Sequence, residues 1–250
     1  MTDKRRLDTL LVERGLVDSK TKAQALVIAG RVYSGERRLE KPGQPTPVDI
    51  PLTVRQNEHE WVSRGGVKLS HGLSHFSIDA NDRDCLDVGA STGGFTDVLL
   101  QAGARRIYAV DVGRGQLDWS LRNDDRVVVL EGVNARYLSR TEIPTPPSLI
   151  VCDTSFISLE IVLPASLALA APGAILIALI KPQFEVGKGR VGKGGVVRDP
   201  ALHQEVCDRI WAWLVDDRGW AVEGVTESPL KGPKGNTEFL MAAQKPAQNE

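Results

Sequence analysis

The sequence predicts an α/β protein in two parts: a small α+β head, then a doubly wound, mainly parallel sheet whose last strand runs antiparallel. Three observations predict it. From Val67 onward, short apolar runs alternate with helix-length segments, the pattern of parallel strands joined by crossovers. The first sixty residues lack that alternation and are basic: residues 1–41 carry ten Lys/Arg against six Asp/Glu, on a chain whose net charge is −1. Finally, only about ten residues (227–236), rich in Pro and Gly, separate the last two strands, too few for the dozen or more that a parallel return needs.

In order along the chain, the head (1–60) begins with a helix over 6–16, where Leu7, Leu10 and Leu11 share a stripe and Gly15 ends it. Ser19 suits the N-cap of a second helix, which runs through Ala23, Leu26 and Val27 to Gly30. Arg31-Val32-Tyr33 enters a short strand and a Ser34-Gly35 turn. Pro42, Pro45, Pro47 and Pro51 then hold the chain extended, since proline fixes φ and removes a donor. A connector, WVSRGG (61–66), leads to the larger domain, 67–245, and a tail, 246–250. That domain reads as a helix (67–76), then strands at 85–88, 106–110, 127–130, 149–152, 174–180, 221–225 and 238–243, with helices at 95–102, 116–121, 159–170 and 202–215 between them. The antiparallel last strand would start on the rim where the parallel strands end, the rim at which open α/β sheets bind ligands. Glu238 belongs there.

Bulk properties narrow the function. The chain is 42% hydrophobic and 25% charged, ordinary for a globular protein, so wholesale disorder is excluded. Three widely spaced cysteines without a CxxC pair signal neither a disulfide framework nor a zinc site, and fit a reducing, cytoplasmic compartment. MTDKRRLDTL has no apolar signal core, and Pro164, Pro172 and Gly173 interrupt the longest apolar run, so no membrane association is expected. The basic head suits a polyanionic partner; a solvated surface accounts for its charge almost as well.

The strongest local signal is CLDVGASTGGFTDVLL. A buried strand ends at Asp87, turns through Gly89, Ser91, Thr92, Gly93 and Gly94, and launches a helix at Phe95. Asp111 ends the next strand, where a carboxylate suits ribose hydroxyls, and Asn134 follows the third, where an adenine edge would lie. The glycine spacing misses the dinucleotide pattern G-x-G-x-x-G, and Asp87 would repel a pyrophosphate. S-adenosylmethionine has no phosphate, and its ammonium welcomes a carboxylate. The stretch 187–195 mimics a phosphate-binding loop, but Gly194 stands where a magnesium-holding Ser/Thr belongs, so a basic lid or RNA-contacting loop fits better. His71 and His75, four apart on a helix, lack a third ligand, and no metal is expected.

Four more polar residues fall on the ligand rim: Lys68 in the first helix, Asp153 and Lys181 at strand ends, and Glu238. A lysine ending an apolar strand is costly unless paired. Buried salt bridges alone would explain the set; so would catalysis. Lys68, Asp153, Lys181 and Glu238, with LDVGASTGGF, resemble the Lys-Asp-Lys-Glu tetrad of FtsJ-like 2′-O-methyltransferases. LDTLLVERGLVDSKTKAQALVIAGRVYSG resembles the S-four-type RNA-binding module, and with WVSRGG, VCDTSFISL, LIKPQFE and GNTEF the whole chain resembles the TlyA family, some of whose members are called hemolysins.

The resemblance implies a Rossmann-like methyltransferase domain that uses S-adenosylmethionine to methylate cytidine 2′-hydroxyls of ribosomal RNA, in ribosomal subunits. It also implies that Arg6, Lys20, Lys22, Arg31 and Arg64 meet RNA. Lys181 would be the general base, Lys68 the cation that stabilises the oxyanion, and Asp153 and Glu238 the groups that orient them. One departure shows: His59-Glu60 precede Trp61-Val62 where the family pattern has arginine two residues before the tryptophan. A non-catalytic RNA-binding protein and a membrane-active hemolysin are the rival expectations.

Overall fold

The computed structural model describes residues 3–28, 30–54, 59–187 and 189–247. Position 188 of the glycine-rich loop, positions 55–58 at the end of the head, and 248–250 of the expected tail lie outside them. The chain divides into two compact units, 1–58 and 59–250.

In the first unit, β1 (Lys4–Arg6) leads directly into α1 (Leu7–Glu13), followed by α2 (Lys20–Ile28). Gly15 takes φ +65°, and the Ser19 hydroxyl accepts from the Lys22 amide at 3.2 Å, so both end signals act as read. Then come β2 (Val32–Ser34), β3 (Arg37–Arg38), β4 (Pro45–Pro47) and β5 (Thr53–Val54). The proline-rich stretch is indeed extended: β4 pairs antiparallel with β1, and β3 and β5 flank β2. Leu7, Leu11, Val17, Ala23, Val27, Val32 and Leu39 form the small core.

The second unit begins with α3 (Gly65–His75). It continues through β6 (Asp84–Val88), α4 (Gly94–Gln101), β7 (Arg106–Asp111), α5 (Trp119–Arg122), β8 (Val127–Glu131), β9 (Leu149–Cys152), α6 (Leu159–Val162) and α7 (Pro164–Leu169). It ends with β10 (Ile175–Ile180), α8 (Pro182–Glu185), α9 (Pro200–Ala212), β11 (Ala221–Glu227) and β12 (Phe239–Gln244). Seven strands form one sheet in the order β11-β12-β10-β9-β6-β7-β8. The pairings from β10 to β8 are parallel, whereas β12 is antiparallel to both β10 and β11. Two apolar layers cover the sheet, one centred on Leu86, Ile150, Leu163 and Ile210, the other on Leu69, Leu99, Ile107 and Leu240. No helix among the described residues is long and apolar enough to cross a membrane.

Three helices depart from the sequence pattern, each for a visible reason. The run 159–170 is two helices rather than one, because Pro164 lacks an amide donor and sits at the first position of α7. The run 116–121 is helical only from Trp119. The amides of Gly115, Gln116 and Leu117 all donate to the Glu131 carboxylate at 2.9–3.3 Å instead of entering a helix. The expected helix 202–215 starts earlier, at Pro200 behind the capping side chain of Asp199, and ends in a π-helical turn, Trp213–Asp217.

Candidate active site

Strand order explains why four residues distant in sequence come together. β9 and β10 are parallel neighbours, so Asp153 and Lys181, each one residue beyond its strand, emerge side by side. β12 runs the other way with Phe239 opposite Ile180, so Glu238 arrives at that same rim. Lys68 comes from α3, whose Leu69 face packs on the sheet. Lys68 Nζ donates to Glu238 Oε2 at 2.6 Å, and Lys181 Nζ lies 2.5 Å from Asp153 Oδ1. Lys68 is 9% exposed, Lys181 7% and Glu238 1%. Charges this buried persist only when paired, and removing one member of such a pair costs about 3–5 kcal/mol. All four line a single cavity of about 460 Å³.

The glycine loop forms another wall of that cavity, through Gly89, Ser91, Thr92, Gly94 and Phe95. Two of its glycines serve packing of protein on protein. Gly93 takes φ +96°, and a Cβ there would stand 2.2 Å from Leu121; on Gly94 it would stand 2.2 Å from the Ser63 hydroxyl of the connector. A second cavity, about 930 Å³, adjoins the first and shares Gly89, Ser91, Asp153 and Ser155 with it. Asp111 and Asn134 line it. Asp111 accepts from the Ser91 amide at 2.8 Å and from the Gly113 amide at 2.7 Å, tying the loop to the end of β7. Asn134 caps the short 3₁₀ turn Ala135–Tyr137, accepting from the Arg136 amide at 3.1 Å.

Asp87 lies beneath the loop, fully buried, and lines neither cavity. Its Oδ2 accepts from the Thr96 hydroxyl at 2.7 Å, while Oδ1 has no hydrogen-bond partner. Burial pushes its carboxyl up to about 7, against the opposing hydrogen bond from Thr96. Two adjoining cavities, one lined by Asp111 and Asn134 and the other by two lysine–carboxylate pairs, fit a ligand with a nucleoside end and a cationic end.

The residues expected to meet RNA differ in how far their charge is already engaged. Arg6 is bound to the buried Asp8 at 2.7 Å, and burial notwithstanding, that guanidinium holds the Asp8 carboxyl well below its usual range. Lys22 pairs with Asp18 at 3.0 Å. Lys20 is exposed and Arg31 partly so. Arg64, in the second unit, precedes α3 and lines the first cavity.

Sequence reasoning passed over four residues that shape this site. Ser155 accepts from Lys181 Nζ at 2.9 Å. Phe156 is 89% exposed with φ +66°, strained for an aromatic residue, and lines the second cavity. Glu185 accepts from the Ser158 hydroxyl at 2.7 Å and the Leu159 amide at 2.9 Å, bracing the segment after β9 against α8. Asp97 accepts from the Val62 amide at 2.8 Å and so fastens the connector to α4. Ser155 and Phe156 sit inside VCDTSFISL, close to Asp153; Glu185 ends LIKPQFE and Asp97 lies in CLDVGASTGGFTDVLL, so each stood in a quoted motif, but nothing local showed which distant group it would hold.

Comparison with known proteins agrees with this architecture. A model of FtsJ-like methyltransferases matches residues 61–245, and a model of the S4 domain matches residues 5–46. The 16S/23S rRNA (cytidine-2′-O)-methyltransferase TlyA of Mycobacterium tuberculosis is 48% identical, over 96% of this chain and 90% of its own. Hemolysin A of Brachyspira hyodysenteriae is 39% identical, over 94% and 98%. A solved structure from Streptococcus thermophilus, 40% identical, superposes with a TM-score of 0.75 over 98% of this chain and 90% of that one. An O-methyltransferase from Bacillus cereus, solved with SAH, shares the fold alone: TM-score 0.52, 20% identity, over 76% and 84%. With a matched catalytic domain, a matched head and relatives this similar along nearly the whole length, the chain belongs to the TlyA family of FtsJ-like methyltransferases.

Proposed function

We propose that the chain transfers a methyl group from S-adenosylmethionine to the 2′-hydroxyl of a ribosomal RNA ribose, at cytidine. The observation that carries the reading is the pair of buried lysine–carboxylate contacts in a cavity that shares a wall with the glycine loop. The 48%-identical relative from Mycobacterium tuberculosis, a 16S/23S rRNA (cytidine-2′-O)-methyltransferase, supports the substrate. A cytoplasmic location follows from that substrate.

S-adenosylmethionine supplies an electrophilic methyl group on a sulfonium. The loop Gly89–Phe95, with Asp87 beneath it and Asp111 and Asn134 beyond, would hold it. A ribose hydroxyl is a poor nucleophile until its proton leaves. Lys181, acting as the neutral amine, takes that proton, and Asp153, 2.5 Å away, stabilises the ammonium that results. Lys68 offers its charge to the developing oxyanion, and Glu238 fixes Lys68 in place. Phe156, exposed at the cavity mouth, offers a face on which a base drawn out of an RNA stack can lie. Holding the hydroxyl in one orientation supplies most of the remaining rate.

The test is Lys181→Ala, assayed by methyl transfer to ribosomal RNA and by calorimetric titration with S-adenosylmethionine. The rate should fall roughly 10³-fold with cofactor affinity little changed. Wild-type activity in the variant would remove Lys181 from the chemistry. Cofactor binding without any methyl transfer by the wild-type protein would favour the non-catalytic RNA-binding reading.

A further inference from the structure

We infer that Ser155 is a positioning residue for this reaction: it aims the Lys181 nitrogen at the substrate hydroxyl. The inference rests on the methyl-transfer reading above and adds to it a group outside the four charged residues.

A base must present its nitrogen lone pair along one direction, and a lysine ends four rotatable bonds from the backbone. Charge alone does not set that direction. Asp153 Oδ1 lies 2.5 Å from Lys181 Nζ, yet the contact lacks hydrogen-bond alignment. The aligned contact is with Ser155: Lys181 Nζ donates to Oγ at 2.9 Å. Asp153 thus supplies the charge and Ser155 the aim. Ser155 fixes one of the three non-carbon positions around the nitrogen while Asp153 supplies charge beside it, which leaves a position for the incoming hydroxyl. A serine hydroxyl that accepts from lysine keeps its own hydrogen to donate, and Ser155 lines both cavities, so a ligand there is within its reach.

Ser155 can act this way because its segment is fixed at both ends. On one side the Asp153 amide donates to the Val88 carbonyl at 3.1 Å. On the other, Ser158 and Leu159 are held by Glu185, whose Oε2 also accepts from Arg209 at 3.1 Å. An exposed serine between two such anchors keeps its place without burial.

The experiment compares Ser155→Ala and Ser155→Thr with wild type, in steady-state methylation of ribosomal RNA, cofactor titration and thermal melting. Ser155→Ala should lower kcat roughly ten- to hundred-fold, leaving KM for RNA, cofactor affinity and Tm at wild-type values. Ser155→Thr, which keeps the hydroxyl, should recover most of the rate. Equal kcat in the alanine variant and wild type overturns the inference while methylation by wild type keeps the general reading. A loss in KM or Tm instead of kcat, or a threonine variant no better than alanine, overturns it too. If wild type itself transfers no methyl group, the general reading is what fails.

Discussion

At the scale of single residues, the least ordinary group is Asp87. Its ordinary value is 3.8, and burial raises it to about 7. Between those two values the folded chain holds a proton that the unfolded chain releases, so stability present below about pH 4 is lost as pH rises through about 7. Asp87→Asn keeps an oxygen for the Thr96 hydroxyl and removes the titration. Melting of the cofactor-free protein from pH 5 to 8 should therefore fall for wild type and stay flatter for the variant, the gap being on the order of 2 kcal/mol. Parallel pH curves for the two would show that Asp87 does not carry the slope. Sequence named Asp87, but its position suggested a group facing ligand. Only the structure puts it under the loop, because depth below a turn depends on how the next strand and helix close over it.

At the scale of elements, the rim after β9 and β10 is a braced pair of loops rather than two independent ones. Glu185 accepts from a hydroxyl and an amide at the start of α6 and from a guanidinium on α9. Glu185→Ala strands the Leu159 amide and leaves Arg209 with only its contacts to Glu160 and the Glu185 carbonyl. It should destabilise the protein by about 2–4 kcal/mol in chemical unfolding. Glu185→Gln, which still accepts from that amide, should lose clearly less, and an alanine variant as stable as wild type would contradict the brace. Elements of this domain were legible wherever apolar period decided them: the strands from Asp84–Val88 to Phe239–Gln244 fall within one or two residues of the pattern. The antiparallel direction of β12 followed from the short connection before it. Helix starts were less legible where a distant carboxylate captured the amides. Glu131, held down to about 2 chiefly by Arg122, takes three amides that local pattern gave to a helix. Such a capture joins residues some fifteen positions apart and leaves no periodic trace.

At the scale of the whole molecule, the chain pairs a catalytic unit with a smaller one in which Lys20 is exposed and Arg31 partly so. Arg6 and Lys22 already have acidic partners inside the head, so their charge reaches a polyanion only in part. Lys20→Ala combined with Arg31→Ala should weaken binding to ribosomal RNA and reduce the salt slope of log K by about 1 for each phosphate no longer neutralised. An unchanged slope in filter binding across a salt series would take these two side chains out of RNA recognition. The head's charge was visible in composition, whereas its internal pairing was not: Asp8 sits two residues from Arg6, and only burial shows that the pair is committed.

The placement of β12 has a consequence for the chain as it is made. Until residue 238 has left the ribosome and its strand has slotted between β10 and β11, Lys68 has no counter-charge and two sheet edges stand open. Every intermediate in synthesis therefore lacks a complete reaction centre. A stop codon anywhere before Glu238 would yield a chain that is inert and prone to stick to its neighbours, never a partly working enzyme.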